Sequence, residues 1–328
     1  MKRIAPFIVP AILLGILLIG SYIILFFAGA PARAEPSRIT AVLKTIDSNM
    51  EFWEVVKSGM RTAATEFSVP LEIFGPWTES DIDGQIRIME TVIKDKPTVI
   101  ILSATDYTAL IPSVQTANEA GILVVTLDSG IDSDLPRTFV ATNSVEAAEK
   151  LGRHLPSLLE PGRSVAIINH VPGATTAIER EEGVRKALEL DGRYPILGTW
   201  FTNNFQENAY SITLELLETY PELGAILAMN EVSTVGAAQA LLDAGQAGKV
   251  RLLGFDSSLA EIKFIEQGVL AATVVQKPFN MGYLAIRAAL DAVEKKPRIR
   301  FIDTGSVLIT AANLYLPENQ KLLFPFTE

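Results

Sequence analysis

Carboxylate, amide and hydroxyl side chains recur in this sequence directly after short apolar runs. The series comprises Asn49, Asp106, Asp128, Ser129, His170, Asn204, Asn230, Asp256 and Gln276. Two adjacent aromatic residues, Phe52 and Trp53, accompany the first of these positions. Carboxylates and amides can bond the hydroxyl groups of a polyol, and aromatic faces can cover its C–H surface. The set therefore predicts a binding site for a neutral, hydroxyl-rich small molecule.

Several of these side chains also have purely structural uses. Asp106 precedes a predicted helix, where capping that helix is favoured over contacting a ligand. Asp128 and Asp256 close apolar strands, where a turn uses the same residue type, so both uses stay open. Asn230 can equally start the helix that follows it. The two aromatic rings lie on a helix whose other apolar residues form core, so a core position is the default for at least one of them.

Arg180 stands in the first turn of a predicted helix, which is an unusual place for a lone cation. A strand-length apolar run, Val165 to Ile168, leads through a Pro-Gly loop to Thr176 and Glu179, which have the spacing of a capping box. The positive end of the helix dipole disfavours a cation there by some tenths of a kcal/mol. Arg180 is then either a solvated surface residue or a contact for a hydroxyl-rich or anionic group, and both alternatives stay open.

The usual enzyme and cofactor signatures are missing from the sequence. It contains no Gly-x-Ser-x-Gly elbow, no phosphate-binding Gly-x-x-x-x-Gly-Lys-[Ser/Thr] loop and no Gly-x-Gly-x-x-Gly fingerprint. Only two histidines occur, and His170 is favoured as a turn or lining residue rather than as a base. The absence of cysteine excludes a disulfide, a thiolate zinc site and an acylated lipoprotein cysteine. We therefore predict no cofactor, no metal ion and no catalytic residue.

The elements that must position these side chains alternate between strand and helix. Short Val, Ile and Leu runs without polar alternation are typical of strands buried on both faces. The alternation predicts an α/β fold with parallel sheets covered by helices, including helices from Tyr107 to Ala120 and from Ser144 to Leu159. Roughly ten such units are too many for one compact sheet, so we expect two lobes. A crossing between them at Phe139 to Asn143 would let the lobes close on each other.

Residues 1–34 have the character of a membrane anchor or a signal peptide. Lys2 and Arg3 precede an uncharged stretch from Phe7 to Ala30, which is long enough as a helix to span a hydrocarbon core of roughly 30 Å. Ala32 to Ala34 also has the small-x-small pattern of a cleavage site. The length favours an uncleaved membrane helix modestly over a long cleavable signal. Either one places the remaining chain outside the cytoplasmic membrane.

Six short motifs follow one another along the chain in a recognisable order. They are Phe52-Trp53-x-x-x-Lys57-x-Gly59, Val124-Val125-Thr126-Leu127-Asp128, Gly173-Ala174-Thr175-Thr176-Ala177-x-Glu179-Arg180-x-Glu182-Gly183, Ala228-Met229-Asn230-Glu231, Leu253-Gly254-Phe255-Asp256 and Ala272-Thr273-Val274-Val275-Gln276. Over about Ile39 to Ala311 the chain resembles the type I periplasmic sugar-binding proteins of ABC transporters, in the pattern of the ribose binders. The resemblance implies two Rossmann-like lobes with parallel sheets and a ligand cleft between them. The implied lobes are residues 38–142 plus about 277–304, and residues 143–275 plus about 305–328.

The resemblance also assigns roles to individual residues. The implied main contacts are Phe52, Trp53 and Asp128 on the first lobe, Arg180, Asn230 and Asp256 on the second, and Gln276 at a crossing between them. The implied weaker contacts are Asn49, Asn143, His170 and Asn204. In this arrangement the two rings sandwich the sugar, and the polar side chains bond its hydroxyls. Thr142 and Asn143 mark a second crossing, and a third is expected near Thr304 to Val307.

Three departures from the ribose-binding pattern bear on the ligand. Ser129 stands where ribose binders have an arginine, and Asn204 stands where they have an aromatic ring. The loop from Ile46 to Met50 is one residue longer than in the pattern, which leaves the role of Asn49 open. Because the ring contacts differ, we expect a carbohydrate other than ribose.

These observations lead to one main functional hypothesis and one alternative. The main one is an extracytoplasmic protein, monomeric in its binding domain, that closes on a monosaccharide or polyol and delivers it to an ABC permease. The alternative is a membrane-anchored sensor that presents its sugar-bound form to a histidine kinase. An enzyme that acts on a sugar is disfavoured by the missing base and nucleophile. Nucleic acid is not expected as a partner, because phosphate binding needs basic patches and the net charge is −10.

Overall fold

The computed structural model describes residues 37–324 together with Ser21. Apart from Ser21, the predicted anchor or signal segment at residues 1–34 lies outside the described residues. From residue 37 to residue 324, no helix is both long and apolar enough to cross a bilayer.

Twelve strands, numbered in chain order, form two six-stranded sheets within the described residues. The first sheet holds β1 (Ile39–Val42), β2 (Leu71–Phe74), β3 (Val99–Leu102), β4 (Leu123–Leu127), β5 (Phe139–Ala141) and β11 (Phe301–Asp303), in the order β11-β5-β4-β3-β1-β2. The second holds β6 (Ser164–Asn169), β7 (Ile196–Phe201), β8 (Leu223–Ala228), β9 (Arg251–Phe255), β10 (Leu270–Gln276) and β12 (Ser306–Ile309), in the order β12-β10-β9-β8-β6-β7. Every neighbouring pair is parallel except β10 with β12. Side chains that follow the parallel strands of a sheet therefore meet at one edge of it.

Ten α-helices connect and cover these strands in the described part of the chain. They are α1 (Glu51–Glu66), α2 (Ile82–Asp95), α3 (Ile111–Glu119), α4 (Ser144–His154), α5 (Thr175–Asp191), α6 (Gln206–Thr219), α7 (Glu231–Asp243), α8 (Leu259–Glu266), α9 (Pro278–Val293) and α10 (Pro317–Leu323). Helix α1 shows why they form: its buried residues include Trp53, Val56 and Met60, which recur at helical spacing and present one apolar stripe to the sheet.

Both faces of each sheet are covered, which explains the continuous apolar strands. Helices α1 and α9 pack on one face of the first sheet, and α2 and α3 pack on the other. Helices α6, α7 and α8 cover one face of the second sheet, and α4 and α5 cover the other. Two glycines permit the closest helix contacts. A Cβ on Gly59 would lie 2.1 Å from the Phe279 carbonyl oxygen, and one on Gly183 would lie 2.2 Å from that of Val145, so α1–α9 and α4–α5 pack with their backbones nearly touching.

The chain passes between the two sheets at three places. It leaves the first sheet after β5 to enter α4, returns from β10 to α9, and leaves again between β11 and β12. Two of these crossings lie side by side, because the Thr304 N–H donates to the Ala141 carbonyl at 2.9 Å and the Thr142 and Thr304 hydroxyl oxygens are 3.2 Å apart. Short adjacent crossings of this kind allow hinge motion between two lobes.

Two helices are shorter than their apolar pattern predicts. Helix α3 begins at Ile111 and not at Tyr107, because Asp106 Oδ1 accepts the N–H groups of Thr108 at 2.8 Å and Ala109 at 2.7 Å and forms a separate turn. Helix α4 ends at His154, and a 3₁₀ turn over Leu155–Ser157 follows it, closed by Leu158. Pro156 lies in that turn and has no N–H to continue the α-helical ladder.

The predicted capping box at the start of α5 is wrong. The helix begins at Thr175, its N-cap residue is Ala174, and no side chain caps it. Both threonine hydroxyls point instead to the first lobe: Thr175 Oγ1 donates to the Gly130 carbonyl at 2.9 Å, and Thr176 Oγ1 accepts from Lys44 Nζ at 3.2 Å. These hydroxyls therefore contribute to the contact between lobes and not to the helix end.

Candidate functional site

A cavity lies between the carboxyl edges of the two sheets. Its lining comprises Lys44, Met50, Phe52, Trp53, Glu79, Asp128, His170, Thr176, Arg180, Asn230, Glu231, Asp256 and Gln276. All seven main predicted contacts and His170 are in this set. The cavity has a volume of about 30 Å³, far below the roughly 300–1,000 Å³ that is usual for ligand pockets. The space between the two walls is therefore narrow in this arrangement.

Direct contacts between the lobes hold this closed arrangement. The Tyr107 N–H donates to the Gly173 carbonyl at 2.8 Å, and the Leu259 N–H donates to Glu51 Oε1 at 3.4 Å. Lys44 adds its bond to Thr176 from the floor of the cavity. Each bond joins a residue near one sheet edge to a residue near the other, so opening the lobes breaks all of them.

Lys44 and Asp128 form a buried ion pair on the first lobe. Lys44 follows β1 and Asp128 follows β4, the two strands that flank β3 in the sheet, and Lys44 Nζ lies 3.0 Å from Asp128 Oδ2. Both side chains are only 4% exposed. Asp128 has a φ of 60°, a left-handed conformation that costs a non-glycine residue energy and is typical of functional positions.

The two aromatic residues differ in their surroundings. Trp53 is almost fully buried and belongs to the core of the first lobe, yet its edge also lines the cavity. Its Nε1–H donates to Glu79 Oε1 at 2.6 Å. Burial is the main reason that the pKa of Glu79 is raised, and the Lys44 charge opposes the shift. Phe52 is half-buried and meets Trp53 edge to face, with ring centroids 5.1 Å apart, so the Phe52 ring is the freer of the two for a ligand.

Arg180 reaches the cavity from the second lobe. The predicted place in the first turn is wrong, because α5 begins at Thr175 and Arg180 is its sixth residue. Arg180 is 3% exposed, so it is not a solvated surface residue. Its Nη1 donates to the Met229 carbonyl at 2.6 Å, and its guanidinium lies 4.4 Å from the centroid of the Phe255 ring. Asp256 Oδ2 is 3.8 Å away. Among the described residues, its Nε finds no hydrogen-bond partner, which leaves a buried donor at the cavity.

Asp256 is the second lobe's counterpart of Asp128. It follows β9, has a φ of 76°, and is buried. Gln276 Nε2 donates to its Oδ1 at 2.7 Å, and the Glu231 N–H donates to its Oδ2 at 3.3 Å. Burial raises the pKa of Asp256, while Arg180 and Gln276 lower it.

Asn230 serves the helix and the cavity together. Its Oδ1 caps α7 by accepting the Ser233 N–H at 3.0 Å, and its Nδ2 donates to Asn204 Oδ1 at 2.6 Å. Asn204 in turn donates to Met50 Sδ at 3.6 Å, across to the first lobe. The two uses of Asn230 left open by the sequence are therefore compatible, and Asn204 supports the cavity from behind it.

His170 is a buried lining residue. Burial, followed by the charges of Lys44 and Arg180, holds its pKa well below the usual value, so the imidazole is neutral. Its Nε2 lies 3.4 Å from Thr176 Oγ1, and its Nδ1 has no partner among the described residues. Between residues 37 and 324, no group of three or more His, Asp or Glu side chains is arranged to hold a metal ion.

Glu231, which lines the cavity, and the buried Glu261 form an acidic region on the second lobe. Burial and the neighbouring Asp256 charge raise the pKa of Glu231 to about 8, and the Phe52 N–H opposes the shift. The pKa of Glu261 is raised well above its usual value by burial and by Glu231. A raised pKa favours the protonated form of Glu231, which can donate as well as accept a hydrogen bond.

Three of the four predicted weaker contacts, Asn49, Asn143 and Asn204, do not line the cavity. Asn49 is exposed and bonds Asp47 Oδ1 at 2.9 Å, and Asn143 is exposed and caps α4 through the Glu146 N–H. The lining residues that sequence reasoning did not select are Lys44, Met50, Glu79, Thr176 and Glu231. Lys44 and Glu231 follow strands β1 and β8, so the rule that ligands lie beyond strand ends could have found them. Glu79 lies in the loop between β2 and α2, where no spacing rule points to it.

Comparison with known proteins identifies the family. Residues 40–297 match the family model for the periplasmic binding protein domain. The chain belongs to this family. The curated relatives place it with the type I periplasmic sugar-binding proteins: it is 29% identical over 264 residues to a D-ribose/D-allose-binding protein of Pseudomonas aeruginosa, covering 78% of this chain and 82% of that protein. It is 27% identical over 285 residues to the D-allose-binding periplasmic protein of Escherichia coli, covering 82% and 90% of the two chains.

Solved structures show the same fold. An ABC transporter solute-binding protein from Agrobacterium vitis with bound D-fucose aligns with a TM-score of 0.84 at 30% identity, covering 87% of this chain and 99% of that one. A sugar transporter structure from Clostridium phytofermentans aligns with a TM-score of 0.78 at 33% identity, covering 83% and 98%. The two-lobed α/β architecture is therefore that of the periplasmic binding proteins.

Proposed function

We propose that this protein binds a monosaccharide or related polyol in the cleft between its lobes and delivers it to an ABC permease. The observation that carries the proposal is the convergence of Asp128 from one lobe with Arg180, Asn230 and Asp256 from the other on one small cavity. Charged acceptors, charged donors and amides around a cavity with an aromatic wall suit a ligand that is rich in hydroxyl groups. In this proposal the protein binds the sugar and does not transform it.

The ligand is proposed as a carbohydrate other than ribose. Ser129 is fully buried, and its hydroxyl lies 3.4 Å from Thr176 Oγ1, so it cannot replace the long cationic contact that an arginine provides there. Asn204 presents an amide, bonded to Asn230, where an aromatic face would cover a ring. The relatives' names and titles include D-allose, D-fucose and D-arabinose as ligands, and these sugars head the panel for testing.

The proposed place of action is outside the cytoplasmic membrane. The apolar segment between Phe7 and Ala30 would export or tether the domain, and curated relatives are named as periplasmic proteins. A monomeric binding domain is the form we expect to meet the permease, because one cleft per chain is complete without a second copy.

Calorimetry on the full-length protein with pentoses, hexoses and polyols tests the proposal. We expect saturable binding of at least one sugar, one molecule per chain, and recovery of that sugar unchanged. Absence of binding to every member of the panel would overturn the proposal. Conversion of the bound sugar to a product would make the protein an enzyme instead.

A sensor role is the second candidate, and the apolar N-terminal segment is the observation that favours it. A shuttling transport protein gains little from a spanning helix unless it must stay on the cell surface, whereas a sensor needs to remain beside its kinase. Co-purification from membranes separates the two: a permease in the complex supports delivery, and a histidine kinase supports sensing. Sequencing the N-terminus of the native protein shows whether residues 1–34 are retained.

A further inference from the structure

A basic loop lies at the amino edge of the first sheet, which is the edge opposite the cleft. It joins α9 to β11 and has the sequence Glu294-Lys295-Lys296-Pro297-Arg298-Ile299-Arg300. All of these residues are exposed. The loop carries four basic side chains and one acidic side chain, in a chain whose net charge is −10. Its charge is therefore opposite in sign to that of the whole protein.

Further basic residues share this edge of the sheet. Every neighbouring pair of strands in the first sheet is parallel, so the residues that precede its strands lie at one edge. Arg38 precedes β1, and Lys94 and Lys96 precede β3. Arg38 is paired with Asp95. The ammonium groups of Lys94, Lys96 and Lys295 have no salt-bridge partner in the described part of the chain, so their charges are free to meet an anionic surface.

An apolar side chain is exposed among these cations. Ile299 is 55% exposed and stands between Arg298 and Arg300. Arg298 Nη2 donates to two carbonyls of the loop before β5, at 2.8 and 2.7 Å, and so ties the basic loop to the sheet. Exposed apolar side chains flanked by basic ones are typical of segments that bind an anionic bilayer. The apolar group enters the boundary between headgroups and acyl chains, and the cations meet the lipid phosphates.

The amino edge of the second sheet provides a contrast within the same chain. Leu190 is the last residue but one of α5, which leads into β7, so it lies near the edge where β7 begins. It is 80% exposed, but its neighbours in sequence are Glu189 and Asp191. An exposed apolar side chain therefore occurs at both edges. At the first-lobe edge its neighbours are cations, and at the second-lobe edge they are carboxylates.

The chain enters the two-lobed domain at the first-lobe edge. Ser37 and Arg38 directly precede β1, and the uncharged stretch of the N-terminal segment ends at Ala30. The chain from Ala30 to Ser37 spans at most about 25 Å when fully extended. An N-terminal segment that is retained in the membrane would therefore keep this edge of the first lobe within reach of the membrane surface.

We propose that the amino edge of the first lobe, through the loop from Glu294 to Arg300, docks on the anionic phospholipid surface of the membrane that holds the N-terminal segment. The inference rests on the proposed place of action outside the cytoplasmic membrane and on retention of that segment. Lysine and arginine side chains meet the lipid phosphates, and Ile299 enters the headgroup boundary. Because the cavity lies at the opposite edge of the sheet, docking leaves the cleft free to bind its ligand.

A fluorescent label at a single introduced cysteine tests the docking, since the sequence has no cysteine of its own. The full-length protein carries Ile299→Cys or, as the matched control on the second lobe, Leu190→Cys. It is reconstituted into vesicles of phosphatidylcholine, with or without about a third of phosphatidylglycerol. With phosphatidylglycerol, acrylamide should quench the label at position 299 at least about threefold less than the label at position 190. The difference should disappear in phosphatidylcholine alone and at high salt.

Charge reversal tests whether the cations carry the docking. Lys94→Glu combined with Lys295→Glu should abolish the protection of the label at position 299. Sugar affinity should stay unchanged, because neither lysine lines the cavity. The control is Lys249→Glu combined with Lys263→Glu, which reverses two exposed charges on the second lobe. It should leave the protection intact.

The remaining outcomes would overturn the inference. Equal quenching at positions 190 and 299 with phosphatidylglycerol would show that the edge does not meet the bilayer. Protection that persists in phosphatidylcholine alone would exclude recognition of anionic lipid. Protection that needs an added membrane protein would make the surface a protein interface, and a native protein that begins after residue 34 would lack the tether. Calorimetry with sugars is a separate readout, so loss of sugar binding refutes the proposed function without changing the result for the label.

Discussion

The two sides of the cleft each pair a buried aspartate with a buried cation, but the contacts between the two charges differ. Each presents an aspartate directly after a central strand, Asp128 after β4 and Asp256 after β9, and both have left-handed backbones, with φ of 60° and 76°. Each aspartate also has a buried cation nearby. On the first lobe Lys44 touches its aspartate at 3.0 Å, whereas on the second Arg180 stays 3.8 Å away and is held by Met229 instead.

The difference indicates which aspartate keeps its bonding partners when the lobes separate and which one can change them. Asp256 already receives hydrogen bonds from Gln276 and from the Glu231 N–H, so its position is set by its own lobe. Asp128 depends on Lys44, whose other bond crosses the cleft and breaks when the lobes open. The contacts of Asp256 thus stay within its own lobe, whereas the partner of Asp128 is also bonded to the other lobe.

Replacing the two aspartates tests this comparison with the largest expected effect. Asp128→Ala should weaken sugar binding roughly a hundredfold or more, about 2.8 kcal/mol, because it removes an acceptor and leaves the Lys44 charge buried and unpaired. Asp256→Ala should cost less affinity but more thermal stability, since it disconnects Gln276 and the start of α7. Calorimetry and thermal unfolding measure both quantities. The reverse order of effects would contradict the assignment of fixed and exchanging sides.

Arg180 should contribute the next largest effect. Arg180→Met keeps an apolar side chain but removes the guanidinium, which supplies the donors and lies over the Phe255 ring, so we expect at least tenfold weaker sugar binding, about 1.4 kcal/mol. Arg180→Lys should not restore it, because a lysine cannot reproduce the planar donors that bond Met229 and face the cavity. Calorimetric affinities of the two variants decide the matter. Unchanged affinity in Arg180→Met would make the arginine a structural residue of the second lobe.

The acidic second-lobe wall predicts a pH dependence of closing. The pKa of Glu231 is raised to about 8, and we expect separation of the lobes to return it toward its ordinary value. Closing then takes up a proton, so the stabilisation is fully present below the ordinary value of 4.5 and is lost as the pH rises toward 8. Asp256 and Glu79, with raised pKa values, act in the same direction.

Sugar affinity should therefore fall between about pH 6 and pH 8.5, by up to about tenfold per pH unit for one proton. Glu231→Gln should flatten the profile, because the amide stays neutral throughout. Titrations at each pH, with the released or absorbed protons read from buffers of different ionisation enthalpy, measure the effect. An affinity that rises with pH would contradict this account of the second lobe.

The smallest effect is expected at Asn143, which lies at a crossing but outside the cavity. Asn143→Ala removes the N-cap of α4, whose side-chain oxygen accepts the Glu146 N–H. The free energy of unfolding should therefore fall by about 1 kcal/mol. Sugar affinity should stay within about twofold, since the substitution touches no lining residue. Chemical unfolding and calorimetry check the two values. A tenfold loss of affinity would show that the hinge, and not only the cleft, sets binding.

Sequence patterns predicted the strand ends better than the loops. The sequence could predict the lining residues at strand ends, because parallel strands bring the residues at their ends to one edge of the sheet. These residues are Asp128, Asn230, Asp256 and Gln276. The capping-box pattern gave a wrong prediction at the start of α5. Thr176 has the right spacing for a cap, but its hydroxyl bonds Lys44 across the cleft. That contact depends on two segments far apart in sequence, which no local spacing reveals.

Another lining residue was missed as well. Glu79 is held by the Trp53 indole from a different segment, so its place in the cavity depends on tertiary contacts. Lining residues that directly follow a strand could be predicted from the sequence. Lining residues that depend on contacts between two loops could not.

A crystal structure of the full-length protein with its best-binding sugar tests the central claim most directly. The account predicts one sugar ring between the lobes, with a hydroxyl bonded to Asp128 from the first lobe and another to Arg180 from the second. Phe52 should cover one face of that ring. A sugar bound outside the cleft, or held by one lobe alone without contact to the other, would contradict the account.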